Sequence, residues 1–294
     1  SSSAFLHSRY NNLPASRLTL TQPYGQFLRH WDVQGKVTST NDEIRLTPAI
    51  RGVTGAIWSK TRLDMKAFGL EMDFRLTSND GLHAGRAAIW LVDRPTNGAA
   101  YGASSNFKGI GIVLDTFQSR EPGASPFIGI IASDGTTVYS NGEDITLGRC
   151  KASGMVRADN HSEQLAETIS VYVEYLGSVI RVFYKYPSGE WAYCTDAQAH
   201  IPSHFVLGVS AASGELPSRH DLLSLQVFEM EPSFEAAVEP DELRFETGEF
   251  IPRFDGNDDF VTTLFAFATG FIAIVLLFAA VLLWDYYNDY RLVT

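Results

Sequence analysis

The chain has 294 residues, 45% of them hydrophobic, enough for a substantial core and too apolar for a disordered or fibrous protein. Its formal net charge of −11 argues against nucleic acid or anionic lipid as a partner, because neither is drawn to an acidic surface. Two cysteines, Cys150 and Cys194, are too few for a small disulfide scaffold and lack the short spacing of zinc sites.

In chain order, the first residue is Ser1 rather than Met, which fits removal of a secretory signal peptide. Strand signals then dominate residues 1–230. In Phe68–Leu76 every second residue is apolar, with Glu71, Asp73 and Arg75 on the other face, the pattern of a half-buried strand with one solvated side. Thr168–Tyr175 and Leu223–Val227 alternate similarly, whereas Gly109–Leu114 and Phe205–Ala212 are continuously apolar and predict strands buried on both faces. Turn clusters such as Asn79-Asp80-Gly81, Asp134-Gly135 and Ser188-Gly189 separate them. With no helical stripe, repeat or Gly-rich phosphate loop, the expected fold class is all-β: two antiparallel sheets packed face to face.

Residues 231–259 are strongly acidic and carry Pro232, Pro240 and Pro252, which predicts an extended, self-repelling stalk. From Phe260 to Trp284 no charge interrupts about 25 residues, long enough at ~1.5 Å each to cross a ~30 Å hydrocarbon core. Trp284, Tyr286 and Tyr287 would anchor its exit, leaving a short cytosolic tail, 285–294. Arg253 and Arg291 nearly cancel as orientation signals, so the processed start and the cysteines place residues 1–230 outside the cytosol. In that oxidising setting Cys150 and Cys194 are expected to form one bridge, closing a loop of about 43 residues worth roughly 3–5 kcal/mol, against the alternative of two buried thiols.

Chemistry-bearing groups are sparse. Glu71 and Asp73 share a strand face as a glycosidase pair would, but Arg75 takes the next position, where a third carboxylate is expected. His200 and His204 have helical metal spacing, and Pro202 between them forbids the helix. Seven histidines accompany no nucleophile motif. Asp115 closes a buried strand before a polar loop, where it serves either as a turn cap or, with Asp144, the Phe117 carbonyl and the Ser119 hydroxyl, as part of a thin calcium set. Asn160-His161-Ser162 is an N-glycosylation acceptor pattern.

Several ordered motifs carry a resemblance: Trp31-Asp32-Val33-Gln34-Gly35, Ile44-Arg45-Leu46-Thr47-Pro48, Gly55-Ala56-Ile57-Trp58, Gly109 through Phe117, Leu147-Gly148-Arg149-Cys150 and Glu190-Trp191-Ala192-Tyr193-Cys194. Together they resemble the L-type (leguminous-type) lectin cargo receptors of the early secretory pathway. The resemblance implies a concanavalin-like jelly-roll sandwich, glycoprotein cargo, calcium-dependent high-mannose binding and a location in the ER, ER–Golgi intermediate and Golgi membranes. The implied sugar positions are Gly85, Ser119, Asn141 and Gly214-Glu215-Leu216, and several depart from the family pattern. Gly85 stands where the family has its sugar-accepting Asp, Arg86 where it has Gly, Ser119 for an Asn, Asn141 for a His, and Glu215 for an Asp. The loss of a charge-assisted acceptor, worth about 1.5–3 kcal/mol, predicts a lost or altered site, unless Asp80, Glu215 or Asn141 re-forms it. The tail lacks the paired lysines and terminal Phe-Phe of relatives, with Tyr287, Tyr290 and Val293 as potential substitutes. The expected function is therefore a lectin-like cargo receptor with a degenerate calcium/mannose site. A pseudo-lectin subunit making protein–protein contacts in a membrane complex is the second expectation, and a membrane-anchored glycoside hydrolase the third.

Overall fold

The structure is a computed structural model that describes residues 17–26, 28–78, 85–116, 126–136, 145–152, 166–187 and 189–230. Phe117, Ser119, Asn141, Asp144, Asn160, the acidic stalk, the apolar segment 260–284 and the tail lie outside the described residues. Among the described residues no helix is long and apolar enough to cross a membrane. The chain divides into two compact units, Ser1–Ile251 and Pro252–Thr294, and every described element belongs to the first.

After short 3₁₀ turns at Tyr24–Gln26 and Leu28–His30, the described elements are strands. In chain order they are β1 (Trp31–Gly35), β2 (Thr38–Ser39), β3 (Ile44–Thr47), β4 (Thr54–Ser59), β5 (Phe68–Ser78), β6 (Gly85–Val92), β7 (Lys108–Asp115), β8 (Phe127–Asp134), β9 (Thr146–Lys151), β10 (Ala166–Leu176), β11 (Val179–Lys185), β12 (Ala192–Gln198), β13 (Val206–Ser213) and β14 (Ser218–Glu229). They build two seven-stranded sheets, ordered β1-β4-β13-β6-β7-β8-β9 and β12-β11-β10-β5-β14-β3-β2, and the paired strands run antiparallel. The expected two-sheet sandwich is what forms.

The alternation in β5 does what its period of two dictates: Phe68, Leu70, Met72, Phe74 and Leu76 are buried and join the core cluster with Ile89, Ile112, Leu114, Val209 and Leu225. β7 and β13 are buried on both faces as expected, because Trp58, Trp90, Tyr101 and Phe107 form a second apolar cluster on the other side of their sheet. Gly208 makes room for the Trp58 ring, since a Cβ there would overlap it.

Two expectations are corrected. Thr168–Tyr175 does not alternate between core and solvent: Ser170, Tyr172 and Glu174 are buried as well. A third cluster of Tyr172, Phe183, Trp191 and Met230 covers that face, and buried Glu174 accepts a hydrogen bond from Arg181 at 2.9 Å. Nor is the Glu71, Asp73 and Arg75 face of β5 simply solvated. Asp73 accepts from Ser170 at 2.5 Å and Ser224 at 2.7 Å, and Arg75 pairs with Glu43 and lies 3.5 Å from Asp221. Asp221, wholly buried, also receives Arg45 at 3.0 Å and Arg219 at 2.8 Å. Antiparallel register brings these charges together from β3, β5 and β14, which a single strand's periodicity does not reveal.

Cys150 and Cys194 form the expected disulfide. It joins β9, the edge of one sheet, to β12, the edge of the other, and so ties the sandwich along one side. Gly148 permits the approach, because a Cβ there would run into the Thr195 hydroxyl.

Candidate functional site

Antiparallel register gathers five of the predicted positions at one end of the sandwich: Gly85, Asp115, Gly214, Glu215 and Leu216. Gly85 starts β6 opposite Ser213, Arg86 lies directly opposite Asp115, and Gly214-Glu215-Leu216 forms the turn between β13 and β14. Gly214 and Glu215 are exposed, while Gly85 and Asp115 are buried. Sequence separation hides this grouping, because it depends on which strands neighbour one another.

Gly85 is clamped by Thr116. The Gly85 amide donates to Thr116 Oγ1 at 2.9 Å, and the Gly85 carbonyl accepts from that hydroxyl at 2.8 Å and from the Thr116 amide at 3.0 Å. A Cβ built on this backbone would overlap His220 Nε2 and lie 3.1 Å from His220 Cε1. The position that the resemblance assigns to the acceptor carboxylate therefore faces a buried imidazole.

His220 is wholly buried beside Phe74, with ring centroids 6.1 Å apart. Its Nδ1 lies 2.6 Å from Thr47 Oγ1, and that hydroxyl donates to the Ser218 carbonyl at 3.3 Å. The pattern puts the imidazole proton on Nδ1 and turns Nε2, which has no hydrogen-bond partner, towards Gly85. Burial pulls its pKa down to about 3 from the ordinary 6.5, so the ring is neutral at cellular pH.

Asp115 ends β7 with its side chain 8% exposed. Its Oδ2 accepts from the Tyr101 hydroxyl at 3.1 Å and lies 3.2 Å from Arg86 Nε. Tyr101 adopts a left-handed φ of 52°, followed by Gly102 at 88°. Ser210 holds that strained turn by donating to the Tyr101 carbonyl at 2.5 Å while accepting from Trp90 Nε1 at 2.7 Å. A buried chain thus runs from Trp90 through Ser210 and Tyr101 to Asp115. Tyr101, Ser210, Thr116 and His220 are absent from the sequence-based site, since each sits far along the chain from the group it supports; Thr116 alone lies in a sequence motif, where its contact with Gly85 is not visible.

Calcium takes six to eight oxygens. Among the described residues no group of three His, Cys, Asp or Glu side chains could hold a metal ion, and Asp115 Oδ2 already faces a guanidinium. At that oxygen the described residues do not fit a divalent cation without displacing Arg86. The glycosidase pair fares no better as chemistry, since both Asp73 oxygens accept serine hydroxyls. His200 and His204 are not brought together around a metal either; His204 Nδ1 lies 3.9 Å from exposed Asp64.

Two antiparallel seven-stranded sheets packed as a sandwich define a jelly-roll lectin fold. The family profile described as the legume-like lectin family matches residues 15–236, and the chain belongs to that family. Vesicular integral-membrane protein VIP36 of Canis lupus familiaris is 29% identical over 209 residues, 68% of this chain and 57% of its own length. Protein ERGIC-53 of Homo sapiens is 26% identical over 204 residues, 68% of this chain and 39% of its own length. The chain therefore spans somewhat over half, or less, of these relatives. Among solved structures, the VIP36 exoplasmic/lumenal domain in its Ca2+/Man3GlcNAc-bound form superposes with a TM-score of 0.65 at 27% identity, covering 78% of this chain and 96% of that one.

Proposed function

We propose that this protein is a type I membrane lectin-like cargo receptor of the ER–Golgi pathway, with residues 1–230 lumenal, a stalk at 231–259, a membrane span at 260–284 and a cytosolic tail at 285–294. Its calcium/mannose site is degenerate. Membership of the family, and its likeness to a VIP36 domain that has been crystallised with calcium and Man3GlcNAc, support the receptor reading. One observation carries the degeneracy: Gly85 supplies no carboxylate, and His220 fills the space its side chain would need. Glu215 is exposed in the turn between β13 and β14 and is a candidate replacement acid.

Calorimetry of the full chain in detergent, titrated with calcium and then with a high-mannose oligosaccharide and repeated in chelator, tests this. The expected result is no calcium-dependent glycan heat, with Gly85→Asp alone restoring none. Glycan binding that requires calcium would refute the degenerate site. A second reading, a pseudo-lectin subunit that docks on membrane-protein partners, is favoured by the same Gly85–His220 contact. Stable co-purification of an unglycosylated partner would support it. The hydrolase reading loses ground because Asp73 and Arg75 are committed to neighbouring side chains.

A further inference from the structure

The Arg86–Asp115 pair extends the reading of a degenerate site, and it rests on that reading in placing the ancestral metal at Asp115. A buried carboxylate needs a compensating charge. Here Arg86, 35% exposed, reaches in from the directly opposed position on β6 to within 3.2 Å of Asp115 Oδ2. Its guanidinium carbon stands 5.9 Å from the centre of the Tyr101 ring, and the Tyr101 hydroxyl bonds the same carboxylate oxygen. Tyr101 is itself held in its left-handed turn by Ser210 and, behind it, Trp90. The cation is therefore seated on an ordered ring.

We infer that Arg86 is the resident cation of this site, neutralising Asp115 in place of a divalent ion. A guanidinium is always charged and is tethered at the site, so it needs neither free calcium nor the six to eight oxygens a calcium ion collects. A divalent ion at Asp115 Oδ2 would face like-charge repulsion from Arg86 at a few ångströms. The charge of Asp115 is then neutralised at any calcium concentration.

Thermal unfolding of the full chain in detergent, with millimolar calcium or with chelator, tests the assignment. The wild-type melting temperature is expected to be the same in both. Arg86→Ala is expected to melt roughly 2–6 °C lower in chelator and to recover most of that loss in calcium. Arg86→Lys, which keeps the charge, should stay insensitive to calcium, and the Arg86→Ala/Asp115→Asn pair should lose the calcium response. Three results would overturn the assignment: a wild-type protein stabilised by calcium, an Arg86→Ala protein with no loss, or a loss that calcium does not recover. If Arg86→Ala does not accumulate, terbium emission sensitised by Tyr101 in the wild-type chain decides: none that saturates is expected, and saturable emission displaced by calcium overturns the assignment. Glycan binding that requires calcium would defeat the degenerate-site reading, whereas a calcium-dependent melting temperature defeats the Arg86 role whatever the glycan result.

Discussion

Thr116 and His220 hold Gly85 from two sides, one through the backbone and the other through the space where a side chain would go. A side chain at position 85 would therefore meet His220, and under the proposed degenerate site Gly85→Asp alone is expected not to restore binding. His220 also gives the fold a defined response to acid. Desolvation lowers its folded pKa to about 3, while the unfolded chain titrates near 6.5. Between those values the unfolded state binds a proton that the folded state does not, so stability rises with pH there. The contribution is complete above about pH 6.5 and is lost as the pH falls towards about 3, at up to ~1.4 kcal/mol per pH unit. Urea unfolding near pH 7 and near pH 5 should show a drop in stability for the wild type that is clearly smaller in His220→Gln. An equal drop in both would mean that other groups govern the acid response.

At the level of elements, the disulfide decides how the two sheets stay aligned. β9 and β12 are sheet edges, each with a strand neighbour on one side, and Cys150–Cys194 ties them across the sandwich at a sequence separation of 44. Converting both cysteines to serine should cost roughly 2–5 kcal/mol, read as a lower denaturant midpoint with a similar slope. A changed slope would show instead that the edge strands had detached in the native state. Strand periodicity identifies β5 correctly because Phe68 through Leu76 obey a rule that acts between residues two apart. The same rule misjudges β10, where Tyr172, Phe183, Trp191 and Met230 come together from separate segments to cover what looks like a polar face.

For the whole molecule, the proposal is a lumenal domain on a membrane anchor, with the acidic stretch as stalk and the 25-residue apolar run as span. Alkaline carbonate extraction should leave the full chain in the membrane pellet and release a chain lacking residues 260–284. Release of the full chain would remove the anchor from the proposal. Membership of the legume-like lectin family and the sandwich class are legible without coordinates, because Trp31–Gly35, Gly109–Phe117 and the two cysteine motifs are contiguous in sequence and keep their order.

Local pattern and residue identity suffice for the strand-rich class, the two-sheet architecture, the paired cysteines and the missing carboxylate at position 85. Folding in three dimensions settles the rest: His220 occupies the room behind Gly85, Arg86 reaches Asp115, and Glu43, Arg45, Arg75, Arg219 and Asp221 form one ionic cluster. Those contacts depend on strand register and sheet order, which bring distant segments within ångströms of one another and which no short window of sequence contains.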